Sequence, residues 1–156
     1  MLDPIFWASL GISLSIFLAA IGAGLGIGMA GPGVAGAITE KPEIFARSFI
    51  AVVLAEALAI YGLVVALLAV FKLPAIAANP SNLADADSAF RIFAAGLAVG
   101  GGALGAGFGI GTSGSAMAAA TAEKSELYSR VLIPVILSEA LAIYSLIIAL
   151  LLVLQA

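Results

Sequence analysis

The chain contains the same stretch of sequence twice, and the two copies lie 83 positions apart. The glycine-rich run Gly22–Gly28 corresponds to Gly105–Gly111, and the run EALAIY starts once at Glu56 and once at Glu139. Between residues 19 and 73, 28 of the 55 aligned pairs are identical without a gap. Shared apolar composition does not give so many identities at a single offset. The chain is therefore interpreted as a duplicated unit, in which each copy carries one carboxylate inside an apolar segment.

The composition places the chain in a membrane. Of its 156 residues, 63% are hydrophobic and 10% are charged, whereas a soluble domain has about 25% charged residues. The lack of cysteine and histidine excludes disulfides, thiolate sites and the commonest general base. The six basic residues are scattered and the net charge is −3, so no nucleic-acid partner is expected. The N-terminus has no basic region, and the first apolar run is expected to be a mature helix rather than a cleaved signal.

Four apolar segments follow one another, at about residues 5–38, 44–71, 90–120 and 127–154. Each exceeds the roughly 20 residues that a membrane-spanning helix needs. The predicted fold is an all-α membrane protein with four transmembrane helices in two tandem hairpins. The first hairpin is predicted at residues 1–73, a linker at 74–83, and the second hairpin at 84–156.

The polar breaks predict the topology. Residues 39–43 and 122–126 are equivalent short turns within the hairpins, while residues 72–89, with Asn79-Pro80, are interpreted as a loop. More basic residues flank the turns than the opposite side, which predicts cytoplasmic turns and both termini across the membrane. The flanking basic residues are Lys41, Arg47, Lys124 and Arg130 at the turns and Lys72 and Arg91 opposite.

Glycine occupies every second position of a run in the first and third segments. On a helix these glycines form two adjacent small faces, which let neighbouring helices approach closely on two sides. Such helices suit an inner wall in which many copies crowd around an axis. A dinucleotide fingerprint is excluded because no strand precedes the glycines. The packing glycines are Gly22, Gly24, Gly26, Gly28, Gly105, Gly107, Gly109 and Gly111.

The two carboxylates are expected near the middle of the membrane. Glu56 and Glu139 each lie nine residues beyond an arginine, or about 14 Å deeper along a helix. Their helix neighbours three and four positions away are apolar, and no basic residue lies at that depth. Because hydrocarbon disfavours a charged carboxyl, each glutamate is expected to be neutral while it faces lipid. A group that is charged at a water-filled port and neutral in transit can carry an ion.

Residues near the glutamates are candidates for supporting roles. Tyr61 and Tyr144 each follow a glutamate by five positions, too far around the helix to share its face. They are expected to meet a carboxylate across a seam between helices. Ser138 precedes Glu139 where the first copy has alanine, so the two sites differ chemically. Pro32 and Pro134 each occur in one copy only and are expected to kink that copy.

Taken together, the hairpins resemble the rotor-ring proteolipid of rotary ATPases and ATP synthases. The resemblance rests on the glycine-rich helix, the polar turn and the Glu-Ala-Leu-x-Ile-Tyr helix, and it covers nearly the whole chain twice. The doubled form looks like the V/A-type proteolipid, while the run from Glu56 to Leu68 looks more like the F-type protein.

This resemblance implies a function as a non-catalytic component that couples ion flow to ATP synthesis or hydrolysis. It implies a closed ring of identical subunits among membrane lipids, a stator subunit with an essential arginine, and a central stalk gripped by the turns. By motif position, Glu56 and Glu139 are the ion carriers. The stalk-facing residues implied in the same way are Glu40, Lys41, Glu43, Glu123, Lys124 and Glu126.

The transported ion is predicted to be a proton, and no cofactor or resident metal is expected. Sodium-binding relatives typically have a hydroxyl residue after the glutamate and a glutamine on a glycine-rich helix. Here Ala57 and Ala140 follow the glutamates, and Ile27 and Ile110 take the glutamine positions. A sodium-translocating ring remains the alternative.

Two further classes of protein remain as alternatives. A small proton-coupled multidrug transporter would also use a midplane glutamate, but such carriers line their sites with aromatic residues, and the single tryptophan here is Trp7. A structural pore or fusion proteolipid would not need the carboxylates. An enzyme is excluded because two isolated glutamates without a soluble cleft make no catalytic constellation.

Overall fold

The described chain consists almost wholly of long helices. The computed structural model describes residues 3–78 and 83–156, with side chains from residue 86 onward in the second range. No strand occurs among these residues, and the predicted all-α fold is confirmed. The helices are α1 (Pro4–Glu40), α2 (Phe45–Val70), α3 (Leu73–Ala78), α4 (Leu83–Glu123), α5 (Tyr128–Val131) and α6 (Ile133–Leu154), with short 3₁₀ turns at Pro42–Ile44 and Ser125–Leu127.

The two hairpin turns have the same backbone conformation, as their equivalent sequences predict. Lys41 ends α1 with φ −137°, and Lys124 ends α4 with φ −138°. Each lysine N–H donates to the carbonyl four residues earlier, at 3.0 Å and 2.9 Å respectively. At the opposite end of α1, the Asp3 side chain accepts a hydrogen bond from the Ile5 N–H at 3.0 Å, which satisfies one free donor of the first turn.

The connection between the hairpins is more helical than the sequence suggests. The interpretation of residues 72–89 as a loop is wrong where the structure describes them, because α3 and the start of α4 occupy most of this region. Asp87 and Arg91 form a salt bridge of 2.7 Å one helical turn apart, and such pairs support a helix. The Arg91 Nη1 atom also lies 3.2 Å from the Gln155 carbonyl oxygen. The Asn79-Pro80 part of the predicted loop lies outside the described residues.

Pro32 and Pro134, which each occur in only one copy of the repeat, differ in their effect on the helix that contains them. α1 continues through Pro32 without interruption. The fourth apolar segment is divided at Leu132, two residues before Pro134, whereas α2 is unbroken at the counterpart Ala51. Pro134 has no N–H to donate to the carbonyl four residues earlier. The helix is therefore interrupted next to Pro134 but not at Pro32, and the kinks expected at the two prolines stay predictions.

The helices form two rows, with α1 and α4 in one and α2 and α6 in the other. α1 and α4 make the most extensive contact of any pair, α2 packs on both of them, and α6 packs mainly on α4. Glycine permits the close approach: a Cβ built on Gly22 would lie 2.6 Å from the carbonyl carbon of Ala103. The four long helices are apolar and long enough to cross a membrane. The first described turns of α4 and the C-terminal end lie together, at the end of the rows away from the hairpin turns, since Ser88 Oγ donates to the Ala156 carbonyl at 3.1 Å.

Candidate ion-carrying site

Glu139 is buried in the first half of α6 and hydrogen-bonded across the seam between the hairpins. Its side chain is 7% exposed. The Tyr61 hydroxyl, on α2, donates a hydrogen bond to Glu139 Oε1. The structure thus brings together a tyrosine of one hairpin and the carboxyl of the other. The sequence predicts contact across a seam, and the structure adds which tyrosine meets which glutamate.

The surroundings of Glu139 suit an uncharged acid. Its Oε2 atom is buried and has no hydrogen-bond partner among the described residues. Val135 and Ala142, one turn to either side, are buried and apolar. An ionised carboxylate here would leave a charged oxygen without a donor, which is costly in an apolar environment. The protonated acid carries no charge, and Tyr61 satisfies its Oε1 atom.

Glu56 has a different environment, although its flanking sequence is the same. It is exposed on α2, and no described residue donates a hydrogen bond to its carboxyl. Tyr144, the counterpart of Tyr61, is 62% exposed. Within one chain, therefore, the Glu139 carboxyl accepts a hydrogen bond from a tyrosine of the other hairpin, and the Glu56 carboxyl has no such partner among the described residues.

Ser138 does not contact the Glu139 carboxyl. Its hydroxyl donates to the backbone carbonyl of Pro134 at 2.9 Å. The side chain packs beside Gly109, where an added Cβ would lie 3.0 Å from the Ser138 Cβ. Ile110, at a position where sodium-binding relatives typically have glutamine, is fully buried. Within the residues that the structure describes, no group of three His, Cys, Asp or Glu side chains is placed to hold a metal ion.

The predicted packing glycines divide into two sets. Gly22, Gly26, Gly107 and Gly111 lie in the α1–α4 contact, and Gly109 faces α6. A Cβ built on Gly24, Gly28 or Gly105 would meet nothing within 4 Å. The sequence predicts close neighbours on two sides of each glycine-rich helix. Within a single chain, neighbouring helices cover one set of glycines and leave the other set without a neighbour.

The two turns lie together at one end of the helix rows and carry a cluster of exposed charges. Lys41 Nζ lies 3.4 Å from the Glu123 carbonyl oxygen. Arg47 lies over the Tyr128 ring, with its guanidinium carbon 5.7 Å from the ring centre. Sequence reasoning missed these two contacts between hairpins, although the equal spacing of the two copies suggests that their turns lie at the same depth. The remaining exposed charged side chains in or beside the turns are those of Glu40, Glu43, Glu123, Lys124, Glu126 and Arg130.

Comparison with known proteins agrees with this architecture. The family profile of the ATP synthase C subunit matches the chain twice, at residues 10–69 and 93–152, which are offset by the same 83 positions as the internal repeat. The 16 kDa proteolipid of the V-type proton ATPase of Ovis aries is 39% identical over 150 residues, which cover 94% of this chain and 90% of the relative. The c''2 protein of the V-type proton ATPase of Arabidopsis thaliana is 34% identical over 158 residues, which cover 99% of this chain and 88% of the relative.

A third relative extends the similarity to fungi. The c'' protein of the V-type proton ATPase of Saccharomyces cerevisiae is 33% identical over 150 residues, which cover 96% of this chain and 70% of the relative. The predicted family, the membrane class and the non-catalytic nature of the chain are confirmed. The chain therefore belongs to the ATP synthase C-subunit family, as a duplicated-hairpin proteolipid of the V-type ATPase class.

Proposed function

We propose that this chain carries protons across the membrane on Glu56 and Glu139 as part of a rotating ring of identical copies, and that this movement is coupled to ATP synthesis or hydrolysis. The observation that carries the proposal is the Glu139 site. A buried carboxyl group lies within an apolar helix, accepts one hydrogen bond from Tyr61, and has no cation beside it in the described chain. The repeat supplies a second carboxyl with the same flanking residues.

The proposed cycle uses the contrast between lipid and a polar port. In lipid the carboxyl is protonated and neutral, so it passes without the cost of an exposed charge. At the stator it loses its proton to a water-filled path and is stabilised by the stator's arginine. A return of the proton from the other side completes the transfer. Both carboxyls carry protons in turn, so the number of ions per revolution equals the number of hairpins.

Two carriers per chain affect the energetics of the motor. Each charge that crosses the membrane gains about 2.3 kcal/mol per 100 mV. More carriers per revolution therefore allow ATP synthesis at a lower membrane potential. A high ratio of transported ions to ATP suits a synthase and also permits pumping driven by ATP.

A proton is the proposed ion because few oxygen atoms surround Glu139. The Ser138 hydroxyl donates to its own helix, and Ile110 offers no oxygen. A sodium ion needs several oxygen ligands, whereas a proton needs only the carboxyl and one partner. The relatives from sheep, yeast and Arabidopsis are named as subunits of proton ATPases, which supports the same choice.

The charged turns are proposed to face the cytoplasm and to contact the central stalk. Four of the six basic residues of the chain flank these turns, which agrees with the positive-inside bias. The turn carboxylates and Lys124 are exposed and available to a soluble partner. One turn has Pro42 where the other has Ser125, so the two grips on the stalk differ in stiffness.

The proposal is tested by replacing each carboxyl separately. Glu56→Gln and Glu139→Gln, in the complete ATPase complex reconstituted into vesicles, should each abolish ATP-driven proton pumping. An amide has nearly the same shape as the acid but neither takes up nor releases a proton. Acidification of the vesicle lumen, followed with a pH-sensitive dye, measures the effect.

Asp87→Asn provides the matched control. It makes the same carboxyl-to-amide change at an exposed residue outside the central apolar segments, where the lost salt bridge with Arg91 is worth about 0–1 kcal/mol. Pumping should remain near the wild-type rate. Full pumping by Glu56→Gln would show that only the second hairpin carries ions. Full pumping by both glutamate variants would refute the proposed function.

A further inference from the structure

We infer that the groove between the turn ends of α1 and α4 binds a phospholipid whose headgroup carries a primary ammonium group, such as phosphatidylethanolamine. The lipid ammonium contacts the carboxylates of Glu40 and Glu123, and the lipid phosphate contacts the ammonium of Lys41. This lipid site lies at the end of the helices, away from Glu139, and it does not depend on which residues carry protons.

The groove has a volume of about 310 Å³ and runs along the contact of α1 and α4 next to the hairpin turns. Gly33 and Gly36 of α1 and Ala119 and Ala122 of α4 line its apolar part. A Cβ built on Gly36 would meet nothing within 4 Å, so the groove is open at this residue. The small side chains thus leave room for a ligand at the end of an otherwise closely packed pair of helices.

The groove opens on the side of α1 that faces away from α2. Val34 is buried in a cluster with Ile44 and packs near Val52 of α2. Gly36 follows Val34 by two positions, which is about 200° around the helix. Gly36 is exposed, so its side of α1 is accessible to surrounding lipid.

The charges at the mouth of the groove are complementary to a zwitterionic headgroup. Glu40 and Glu123, which are equivalent residues of the repeat, both line the groove, one on each helix. Lys41 Nζ lies 3.4 Å from the Glu123 carbonyl oxygen, which places a positive charge beside the two negative ones. None of these three side chains forms an ion pair with another described residue. Two carboxylates and an ammonium therefore remain available to a ligand that carries both signs of charge.

The groove spans the boundary between the hydrocarbon and the headgroups. Ile44 packs against the end of α1 and precedes Glu56 by a stretch of α2 that is about 18 Å long. Because Glu56 is predicted near the midplane, this level lies outside the hydrocarbon half-thickness of about 15 Å and within the headgroup layer, which ends about 20–22 Å from the midplane. Gly33 lies about 10 Å deeper than Glu40. The carboxylates are thus at headgroup level, and the apolar part of the groove reaches the hydrocarbon.

This combination favours a phospholipid over a side chain of a soluble protein. A lysine or arginine of a soluble partner would pair with the carboxylates but would be repelled by Lys41, and it would leave the deeper apolar part empty. A phospholipid supplies an ammonium, a phosphate and an apolar body, which match both the charges and the depth of the groove. A lipid bound here holds the two turns at a fixed height above the hydrocarbon.

A zero-length cross-link tests the contact with the ammonium group. A water-soluble carbodiimide joins a carboxyl to the primary amine of phosphatidylethanolamine as an amide, and the carbodiimide takes up the lost water to become a urea. The complete ATPase complex, in vesicles of phosphatidylethanolamine and phosphatidylcholine, is treated, digested and examined by mass spectrometry. Lipid adducts at Glu40 and Glu123 should exceed those at other turn carboxylates about tenfold, which corresponds to about 1.4 kcal/mol.

Glu43 and Glu126 provide the internal control for this cross-link. Both are exposed carboxylates of the same turns, and neither lines the groove. Free phosphoethanolamine, which has the headgroup without the chains, should label all four carboxyls to a similar extent. A preference for Glu40 and Glu123 with the free headgroup as well would assign the site to a soluble amine rather than to a lipid.

Variants of the groove test its shape and its positive charge separately. Gly36→Leu should lower the adducts at Glu40 and Glu123 to the level at Glu43, because the leucine side chain fills the groove. Gly36→Ala is the matched control and should keep them, since one methyl group leaves room. Lys41→Gln should also lower both adducts, because the phosphate loses its partner, and it tests the site even if Gly36→Leu does not assemble.

Three results would overturn the inference. Equal lipid adducts at all four turn carboxyls would mean that the headgroups only cover the surface. Unchanged adducts in Gly36→Leu, with rings that native mass spectrometry shows to be intact, would place the lipid outside the groove. Amides between Glu40 or Glu123 and lysines of a soluble subunit would show that a protein side chain occupies the groove. Proton pumping by the Glu56 and Glu139 variants tests the proposed function separately, so the two can fail independently.

Discussion

Gly107 of α4 lies against Gly22 of α1 so closely that a Cβ built on Gly107 would be 2.9 Å from the Gly22 Cα atom. No side chain separates the two backbones at this point. Gly24, two residues further along α1, faces away from the chain and has no neighbour within 4 Å of a built Cβ. Gly24 and Gly107 occupy equivalent positions in the repeat, so they allow contact within a chain and contact between copies to be disturbed separately.

We predict that Gly107→Leu and Gly24→Leu both prevent ring formation, but for different reasons. Leucine at position 107 forces α1 and α4 apart, and overpacking of this kind costs about 1–3 kcal/mol or more. Leucine at position 24 leaves the chain intact and blocks the next copy. Native mass spectrometry of the purified membrane particle measures the ring, and denaturant titration measures the stability of the chain.

Gly36→Ala is the control for these glycine variants. Gly36 also has nothing within 4 Å, and its counterpart in the second copy, Ala119, already carries a methyl group and is exposed. Rings of normal size are expected. Normal rings in both leucine variants would show that the glycine faces do not hold the assembly together.

Glu56 and Glu139 should both react with a hydrophobic carbodiimide, which requires the protonated acid. Sodium ions at fixed pH should give little protection, because the residues around Glu139 supply few oxygen ligands. Glu43, an exposed turn carboxylate, provides an internal control that should stay unlabelled. Strong protection by sodium would show that the transported ion is sodium rather than a proton.

The orientation can be measured with single cysteines in this naturally cysteine-free chain. Glu43→Cys should react with a membrane-impermeant maleimide in inverted vesicles, where the cytoplasmic face is outside. Asp87→Cys should react in right-side-out vesicles instead, because residue 87 lies at the opposite end of the helices. The reverse pattern would place the turns outside the cytoplasm and contradict the positive-inside argument.

Pro134→Ala should join α5 and α6 into one helix. Alanine supplies the N–H that proline lacks, and an interior proline costs a helix about 3 kcal/mol. Amide hydrogen exchange around Leu132 should slow by about one order of magnitude, or about 1.4 kcal/mol. The unbroken segment around Ala51 in the same sample serves as the reference. Equally slow exchange at both places in the natural chain would mean that Pro134 causes no local opening.

Much of the architecture could be predicted because the repeat and the apolar lengths report directly on the helices. The observed bounds of α1 and α2 differ from the predicted segments by only a few residues. α4 begins earlier than the third predicted segment, because the polar run around Asp87 has the composition of a loop. The pair with Arg91 and the contact of Arg91 with the C-terminal end of the chain support its helical form. Such contacts between distant parts of the chain leave no periodic pattern of apolar residues in the sequence.

The pairing of Tyr61 with Glu139 could be predicted only in part. The tyrosine follows the glutamate of its own helix by five positions, so the two side chains lie on different faces of that helix. The sequence does not show which hairpin it meets, because the two copies carry the same EALAIY run. The order of the hairpins in space decides this, and that order depends on packing between α2 and the second hairpin. For the same reason the different exposure of Glu56 and Glu139 does not follow from the sequence.

The covalent link between the hairpins has a consequence for assembly. In a ring of n such chains, half of the hairpin contacts form within a chain, at a high effective concentration and without a search for a partner. The remaining n contacts are bimolecular, and only they can be lost by dilution or formed with a wrong neighbour. A ring made only of such chains would also contain an even number of hairpins, because each chain adds two. Whether the number of hairpins is even or odd would thus be set by the chain itself, before any ring closes.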